Sequence, residues 1–420
     1  MTTLTADTLH WKRNLFLMWF SQLLVLTGFA AVMPFIPLFL KESFHITNDG
    51  ERGTYVAMFS IAGVLGYAIF NPIWGALSDR FGVRPMLLRG TFVTGIFFPL
   101  MGFVHQVWLL VLLRFISAAC AGTTAASQTL LVKNTPEDKQ GFALGTLSTA
   151  VFGGSALGNM LGGMMVHYYG YTSTFVLCGA LYFVAGFVVL FAKDDFKPEW
   201  KKKTEESMYV KKIRRYRNSP LPGFTIGVWL LLLLFLAAGF VRTFDVPYFP
   251  MLVELITEPK ETVLWITIIS TCVTVGALVS GAILGYVADR VKPFYLIIPV
   301  MLITVVMLVI QGMTESRWVC CISRTLLYIF AGGLYPVLQK LLSCTTPKRK
   351  RGSVFGWSST ANNVGNICST VVASWVLLGF GVRGVFYAAA VASILFIPLA
   401  IWIIRKAMSQ PFYQAHSPWK

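Results

Sequence analysis

"WGALSDRFGVRP", Trp74 to Pro85, interrupts an apolar run with an acid and two arginines, and a weaker copy, "LGYVADRVKP", follows at Leu284 to Pro293. Asp79 and Asp289 are separated by half of the 420-residue chain. Around both stretches the sequence is apolar: 56% of residues are hydrophobic and 13% are charged. A water-soluble domain carries about a quarter charged residues, so this chain has too little polar material to cover a water-facing surface. Its apolar residues fall in runs long enough to cross a bilayer, roughly 20 residues each. They occupy 15–40, 54–77, 86–104, 108–132, 142–167, 172–192, 222–253, 263–287, 294–313, 318–342, 353–379 and 384–404. The expectation is an all-α integral membrane protein with twelve transmembrane helices.

The net charge of +17 is unevenly placed. Most Lys and Arg fall in connections on one side: Lys12 and Arg13, the Asp79 loop, Lys133 and Lys139, Lys193 to Arg217, Arg290 and Lys292, "KRKR" at 348–351, and Arg405 with Lys406. That is the positive-inside pattern. It predicts a multi-pass protein of the cell membrane (the inner membrane, in a bacterium) with both termini cytoplasmic. The basic loops then answer to lipid headgroups, and nucleic acid is not the expected partner. The first apolar run is too long for a signal-peptide core and no small-residue cleavage site follows it. The seven cysteines, Cys120, Cys178 and Cys368 among them, lie mostly inside spans at no paired spacing and read as small packing residues, not as disulfides or metal ligands.

The half-chain echo extends beyond Asp-Arg. "VMPFIPLFLKE" matches "DVPYFPMLVE", both with Pro-x-x-Pro, Arg114 matches Arg324, and "NTPEDKQGFALG" matches "TTPKRKRGSVFG". These landmarks keep their order through six spans, which indicates duplication of a six-helix unit. Six is even, so the two units are parallel repeats. The expected domains are a six-helix bundle at 1–192, a basic cytoplasmic linker at 193–221 that touches anionic lipid, a second bundle at 222–405 and a tail at 406–420.

"GALSDRFGVRP" resembles the signature loop between helices 2 and 3 of the major facilitator superfamily through Gly75, Leu77, Asp79, Arg80, Gly82 and Arg84, with Pro85 in place of a second basic residue. Arg114, followed by "FISAACAG", resembles the superfamily's helix-4 arginine motif, with Ser117-Ala118 where Gln-Gly is usual. "GSALGNMLGG" is similar to the helix-5 antiporter motif in Gly154, Gly158, Gly162 and Gly163, with Asn159 in the place of proline. The resemblance covers essentially the whole chain and is closest to the twelve-helix drug:proton antiporters, in particular an MdtG-like multidrug-efflux branch.

The resemblance implies that two pseudo-symmetric six-helix bundles alternate access to a central cavity. It implies a cytoplasmic gate built from Gly75, Asp79, Arg80, Gly82 and Arg84, in which Asp79 engages the start of span 11 around Gly352 and Ser353. Asp289 and Arg290 are the weaker counterpart. An acid suits that role because a helix N-terminus carries about half a positive charge. The glycines of span 5, at three- and four-residue spacing, share a helix face that permits close approach in lipid. The expected contact is with span 8, sealing the cavity against proton leak.

Charged groups inside the bilayer are rare, each costing roughly 2.5–3.5 kcal/mol on insertion scales. Four lie deep in the spans: Arg114, Arg242, Asp245 and Arg324. Asp245 is the sole acid among them and the candidate proton-coupling group. Arg242, three residues earlier, shares its helix face if the helix is continuous. Span 1 carries no acid, and three arginines against one aspartate describe a cavity for neutral or anionic solutes. Uncharged candidates for its wall are Gln22, Gln128, Gln339, Asn362, Asn363 and Asn366, with Trp19, Phe35, Tyr248 and Trp357 as apolar contacts.

The expected function is secondary active transport, as proton-coupled efflux of small amphiphilic compounds by a monomer that needs no cofactor beyond the proton gradient. An importer of a sugar, metabolite or other small solute is the alternative within transport, and a non-transporting receptor the alternative outside it. The five histidines are scattered, and neither a His-Glu-x-x-His site, a Gly-x-Ser-x-Gly elbow nor a nucleotide-binding loop occurs, which argues against an enzyme. No metal site is expected.

Overall fold

The computed structural model describes residues 3–136, 139–194, 226–288, 293–332, 334–345 and 351–408. Span 1 is built from α1 (Thr3–Val32), a 3-10 turn (Met33–Phe35) and α2 (Ile36–Ser43). Span 7 repeats that plan with α8 (Ile226–Thr243), a 3-10 turn (Val246–Tyr248) and α9 (Phe249–Ile256). The cause is the same in both: Pro34 and Pro37, like Pro247 and Pro250, bring no backbone N–H and cannot extend a regular helix. Between them run α3 (Asp49–Phe81), α4 (Val83–Gly102), α5 (Val107–Cys120), α6 (Thr123–Asn134) and α7 (Gln140–Leu190). After span 7 follow α10 (Thr262–Ala288), α11 (Pro293–Met313), α12 (Arg317–Ala331), α13 (Leu334–Thr345) and α14 (Arg351–Met408).

Two of these helices are too long for one crossing. α7 has 51 residues and α14 has 58, against the roughly 20 a bilayer needs. Each breaks at a glycine with positive φ, Gly170 (81°) and Gly381 (69°), a region open to glycine without steric cost. The packing partners show that the chain reverses at Gly170. Gly154, Gly158 and Gly162 meet Leu23, Thr27 and Ala31 in ascending order, so the first arm of α7 runs parallel to span 1. Ser21 donates to the Ala185 carbonyl at 3.3 Å and Asn14 to that of Lys193 at 2.8 Å, so the second arm runs antiparallel. Among the described residues nine helical stretches are long and apolar enough to span a membrane. Two of them are such hairpins, and span 10, α12 plus α13, is divided into pieces too short to count. The topology is twelve crossings, in two six-helix bundles.

The hydrophobic core divides along the membrane normal. One cluster joins both bundles, with Phe39, Phe98 and Phe175 beside Tyr248, Phe249 and Phe386. Towards the end that carries the chain termini, called the inner end below, it gives way to two separate clusters. One lies in the first bundle around Met18, Leu87 and Leu130, the other in the second around Leu231, Leu341 and Ile403. The described packing between the bundles is carried by α3 with α14, α7 with α10, and the outer breaks of spans 1 and 7. Among the described residues the contacts between the bundles lie from the middle of the molecule to the outer end. The predicted linker lies outside the described residues beyond Asp194, and the tail beyond Met408.

Candidate functional site

The charges deep in the second bundle assemble around the break in span 7. α8 ends at Thr243, and Asp245 sits in the non-helical step before the 3-10 turn. The continuous helix face expected to hold Arg242 and Asp245 together is therefore absent: the chain leaves the helix between them. Asp245, 5% exposed, accepts instead from the guanidinium of Arg324 on α12, itself 3% exposed. Arg324 also donates to Gln311 Oε1 at 3.2 Å and lies 4.3 Å from the Phe249 ring centroid and 5.3 Å from that of Tyr328. The pair is neutral as a unit, and amide and aromatic faces serve its remaining surface, the condition under which buried charges persist. Arg242, in the last turn of α8, is exposed.

Arg114 is the counterpart of Arg324 in the first bundle, and its setting differs. It lies 5.2 Å from the ring centroid of Phe29 in span 1 and 5.3 Å from that of Phe59 in span 2. Gly63 leaves room for it: a Cβ there would stand 2.6 Å from Arg114 Nη2. Among the described residues its titratable neighbours are Tyr182 and Cys178, with no carboxylate, and its buried Nε has no acceptor.

The span 5 motif divides its work. Gly154, Gly158 and Gly162 admit the backbone of span 1, so this face serves packing inside the first bundle and not the expected contact with span 8. The span 8 contact is made by Gly163, which faces Thr267, and by Asn159, which donates to the Ser270 carbonyl and to Thr274 Oγ1, both at 3.1 Å. The asparagine that replaces proline thus carries a hydrogen bond between the bundles.

At the inner gate, Asp79 and Arg80 lie in the last turn of α3 but their side chains are outside the described structure, as are Asp289, Arg290 and, beside Gly352 at the start of α14, the side chain of Ser353. Gly82, with φ 96°, makes the turn into α4. The N–H groups of Val83 and Arg84 donate to Asp194 at 2.7 and 2.9 Å, and the Arg84 guanidinium donates to the Leu190 carbonyl. The described part of the loop is therefore anchored to the end of its own bundle. Asp194, which the sequence reading passed over, is the acid at a helix N-terminus here.

Most candidate wall residues are engaged in helix joints. Gln22 donates to Ser127 Oγ at 3.1 Å and accepts from Thr124 at 2.9 Å, Asn366 lies 2.8 Å from Thr243 Oγ1, and fully buried Tyr248 donates to the Thr370 carbonyl at 3.3 Å. Trp19 donates to Thr149 at 3.0 Å, Phe35 is in the core and Asn362 is buried. Asn363 and Gln339 are half-buried, while Gln128 and Trp357 are exposed.

The outer closure is a second site that the sequence reading missed. Glu254, at the end of span 7, pairs through one oxygen with Lys41 of span 1 and through the other with Arg52 of span 2 at 2.7 Å. Arg52, 3% exposed, is held on its other side by Asp49 at 2.6 Å, and Tyr171 donates to Glu42 at 2.9 Å beside it. A signal was present: Lys41 and Glu254 each stand four residues after the second proline of the repeated Pro-x-x-Pro.

Known proteins bear the same architecture. The solved structure of a D-xylose–proton symporter superposes with a TM-score of 0.73 at 16% identity, covering 92% of this chain and 97% of that one. The transporter PepTSo gives 0.76 at 14%, covering 95% and 99%. Among sequence relatives, Multidrug resistance protein MdtG of Escherichia fergusonii is 29% identical over 91% of this chain and 92% of its own length. MdtG of a Rahnella species is 27% identical over 97% of both. The family pattern of the Major Facilitator Superfamily matches residues 18–316 and 248–416. With its two six-helix bundles and a match across nearly all of its length, the chain belongs to the major facilitator superfamily.

Proposed function

We propose that the protein exports small amphiphilic compounds across the cytoplasmic membrane in exchange for protons. The observation that carries this reading is the buried Asp245–Arg324 pair, placed at the break of span 7 in a protein whose described contacts between bundles run from their middle outwards. The names of the MdtG relatives support the direction and the breadth of substrate. Asp245 is the sole carboxylate among the deep charges. Protonation at Asp245 Oδ would end its ion pair, free Arg324 and loosen the joint between spans 7 and 10. Loss of the proton would restore the pair. A proton taken from one side and given up on the other then drives the bundles between two packings, since a ligand moves such an equilibrium only by binding its two states unequally. The membrane potential contributes about 2.3 kcal/mol per charge per 100 mV, and no nucleotide is needed. The inner end is the side that the positive-inside pattern assigns to the cytoplasm, so the described state receives cargo from within.

The test is transport by purified protein in liposomes with an acidic interior. Accumulation of an amphiphilic dye against its gradient, collapsing when a protonophore is added, is expected. Asp245→Asn should remove proton-driven accumulation and leave exchange of dye for dye. Equal proton-driven accumulation by parent and variant would dismiss Asp245 as the coupling acid. Uptake driven only when the proton gradient and the cargo run in the same direction would reverse the assigned direction.

A further inference from the structure

We propose that Cys272 and Cys321 form a redox site, closing under a neutral thiol oxidant to a reversible disulfide that ties span 10 to span 8 and slows transport. The slowing rests on the transport reading above, and the bond itself does not. Cys272 lies on α10 and Cys321 on α12, both as free thiols, and the two thiols share a hydrogen bond. The backbones around them are close. One turn further along both helices, a Cβ built on Gly276 would stand 3.2 Å from the Thr325 carbonyl oxygen and 3.1 Å from Ile329 Cγ1. Cys272 precedes Gly276, and Cys321 precedes Thr325, by the same single turn, so the thiols face each other on the rung before that contact. A disulfide needs its Cα atoms roughly 4.4–6.8 Å apart, a separation that helices packed through a glycine provide. Cys320 does not compete. It is turned about 100° from Cys321 round α12, is fully buried, and lies on the side of Arg324.

The position of the pair gives the bond its consequence. Cys321 stands one turn before Arg324, the partner of Asp245. Cys272 stands between Ser270 and Thr274, the two residues of span 8 that accept from Asn159 of the first bundle. A disulfide fastens the helix that carries Arg324 to the helix that docks on the other bundle. Release of Arg324 from Asp245 then no longer frees span 10 to move. The site also lies one turn inside Arg317, which pairs with Glu261 at the outer rim, away from the cytoplasmic systems that keep thiols reduced. Cys272 is half-buried and Cys321 is 9% exposed, so a small uncharged oxidant can enter where an ion would lose its hydration. A hypohalous acid meets that description. With hypochlorous acid, the Cys272 sulfur takes up chlorine, and the thiol proton leaves with the hydroxyl group as water. The Cys321 sulfur then attacks: the S–S bond forms, the S–Cl bond breaks, and hydrogen chloride departs. The two sulfurs give up two electrons and chlorine gains them.

The test treats the purified protein in liposomes with a small excess of hypochlorous acid, blocks remaining thiols with N-ethylmaleimide in denaturant, and maps the digest by mass spectrometry. The expected product is a peptide pair joined through Cys272 and Cys321, two hydrogens lighter than its parts and separated by dithiothreitol. Exchange of dye for dye should fall severalfold on oxidation and recover with dithiothreitol. Cys321→Ala should keep its exchange rate under the same oxidant, which separates the bond from oxidation of methionines elsewhere. Cys272→Ala gives the same readout from the other helix, and the mapping needs only the parent protein, so a poorly folding variant does not remove the test. Full maleimide blocking of both thiols after oxidation, a bond to Cys320 or Cys368 in place of this one, or conversion of Cys321 to a sulfonic acid would each overturn the site. Unchanged exchange by fully linked protein would overturn its effect on transport. No exchange by the reduced parent counts against the transport reading, while the mapped bond still reads the thiols.

Discussion

Arg114 and Arg324 come from one duplicated position, but the second bundle surrounds its arginine with Asp245 and Gln311 while, among the described residues, the first sets Phe29, Phe59, Tyr182 and Cys178 about its own. The two ends of the molecule differ in a comparable way. At the outer end a single hydrophobic core runs through both bundles beneath the Lys41–Glu254–Arg52 cluster, and at the inner end each bundle has its own. Similar helices thus perform unlike tasks because the polar side chains placed between them differ. Fold follows the apolar pattern common to both halves, and function follows the few positions where the halves diverge.

The largest break of this comparison is expected from Arg324→Ala. It strands a buried carboxylate and should cost about 3–5 kcal/mol, read as lost folded yield and a lower denaturation midpoint. Arg114→Ala strands no partner and should cost clearly less. Equal losses would mean that the two arginines are structurally alike. Replacing Asp245 and Arg324 together by leucine should recover much of the single-mutant loss, and a double-mutant cycle measures the coupling.

Next in size is Gly162→Leu, whose Cβ would collide with the carbonyl of Ala31. Overpacking of this kind typically costs about 1–3 kcal/mol. Gly145→Leu, on the open inner stretch of the same helix, should alter stability by no more than about 0.5 kcal/mol. Thermal unfolding of both variants sharpens the contrast between closed and open ends.

A smaller effect is expected from Glu254→Gln. Removing the charge that faces Lys41 and Arg52 should weaken outer closure by about 1 kcal/mol, roughly a fivefold shift in the balance of states. Spin-label distances across the outer mouth would register the added open population, and an unchanged distribution would show that apolar contacts alone hold it. Asp194→Ala, which removes the cap on α4, should cost about 1 kcal/mol, with the loss confined to the first bundle in hydrogen exchange.

The crossings and the duplication were legible in the sequence because bilayer thickness fixes run length and because Asp-Arg, Pro-x-x-Pro and the paired arginines recur in the same order about half a chain apart. The apolar runs stop at 167 and 379 and resume at 172 and 384, and Gly170 and Gly381 make the reversals of α7 and α14 in those gaps. The partners were less legible. Helical spacing pairs Arg242 with Asp245, but Pro247 ends the helix and hands the carboxylate to a residue 79 positions away. The glycine stripe predicted a close approach to span 8, but Gly154, Gly158 and Gly162 meet span 1, since small residues carry no address. Asn159 looked like a lost proline and is a hydrogen-bond donor to span 8. Glu254 went unread because an acid at a span's end is ordinary, and its meaning lies in which two cations the fold brings to it.

The Lys41–Glu254 pair has an implication for how such a molecule arises. These two positions are the same place in the two copies, and they touch each other. In an assembly of identical six-span subunits, that place would face itself, lysine against lysine or glutamate against glutamate. Opposite signs at a self-facing position require the two copies to carry separate codons, so this bridge is closed to identical subunits and open once the copies are joined and diverge.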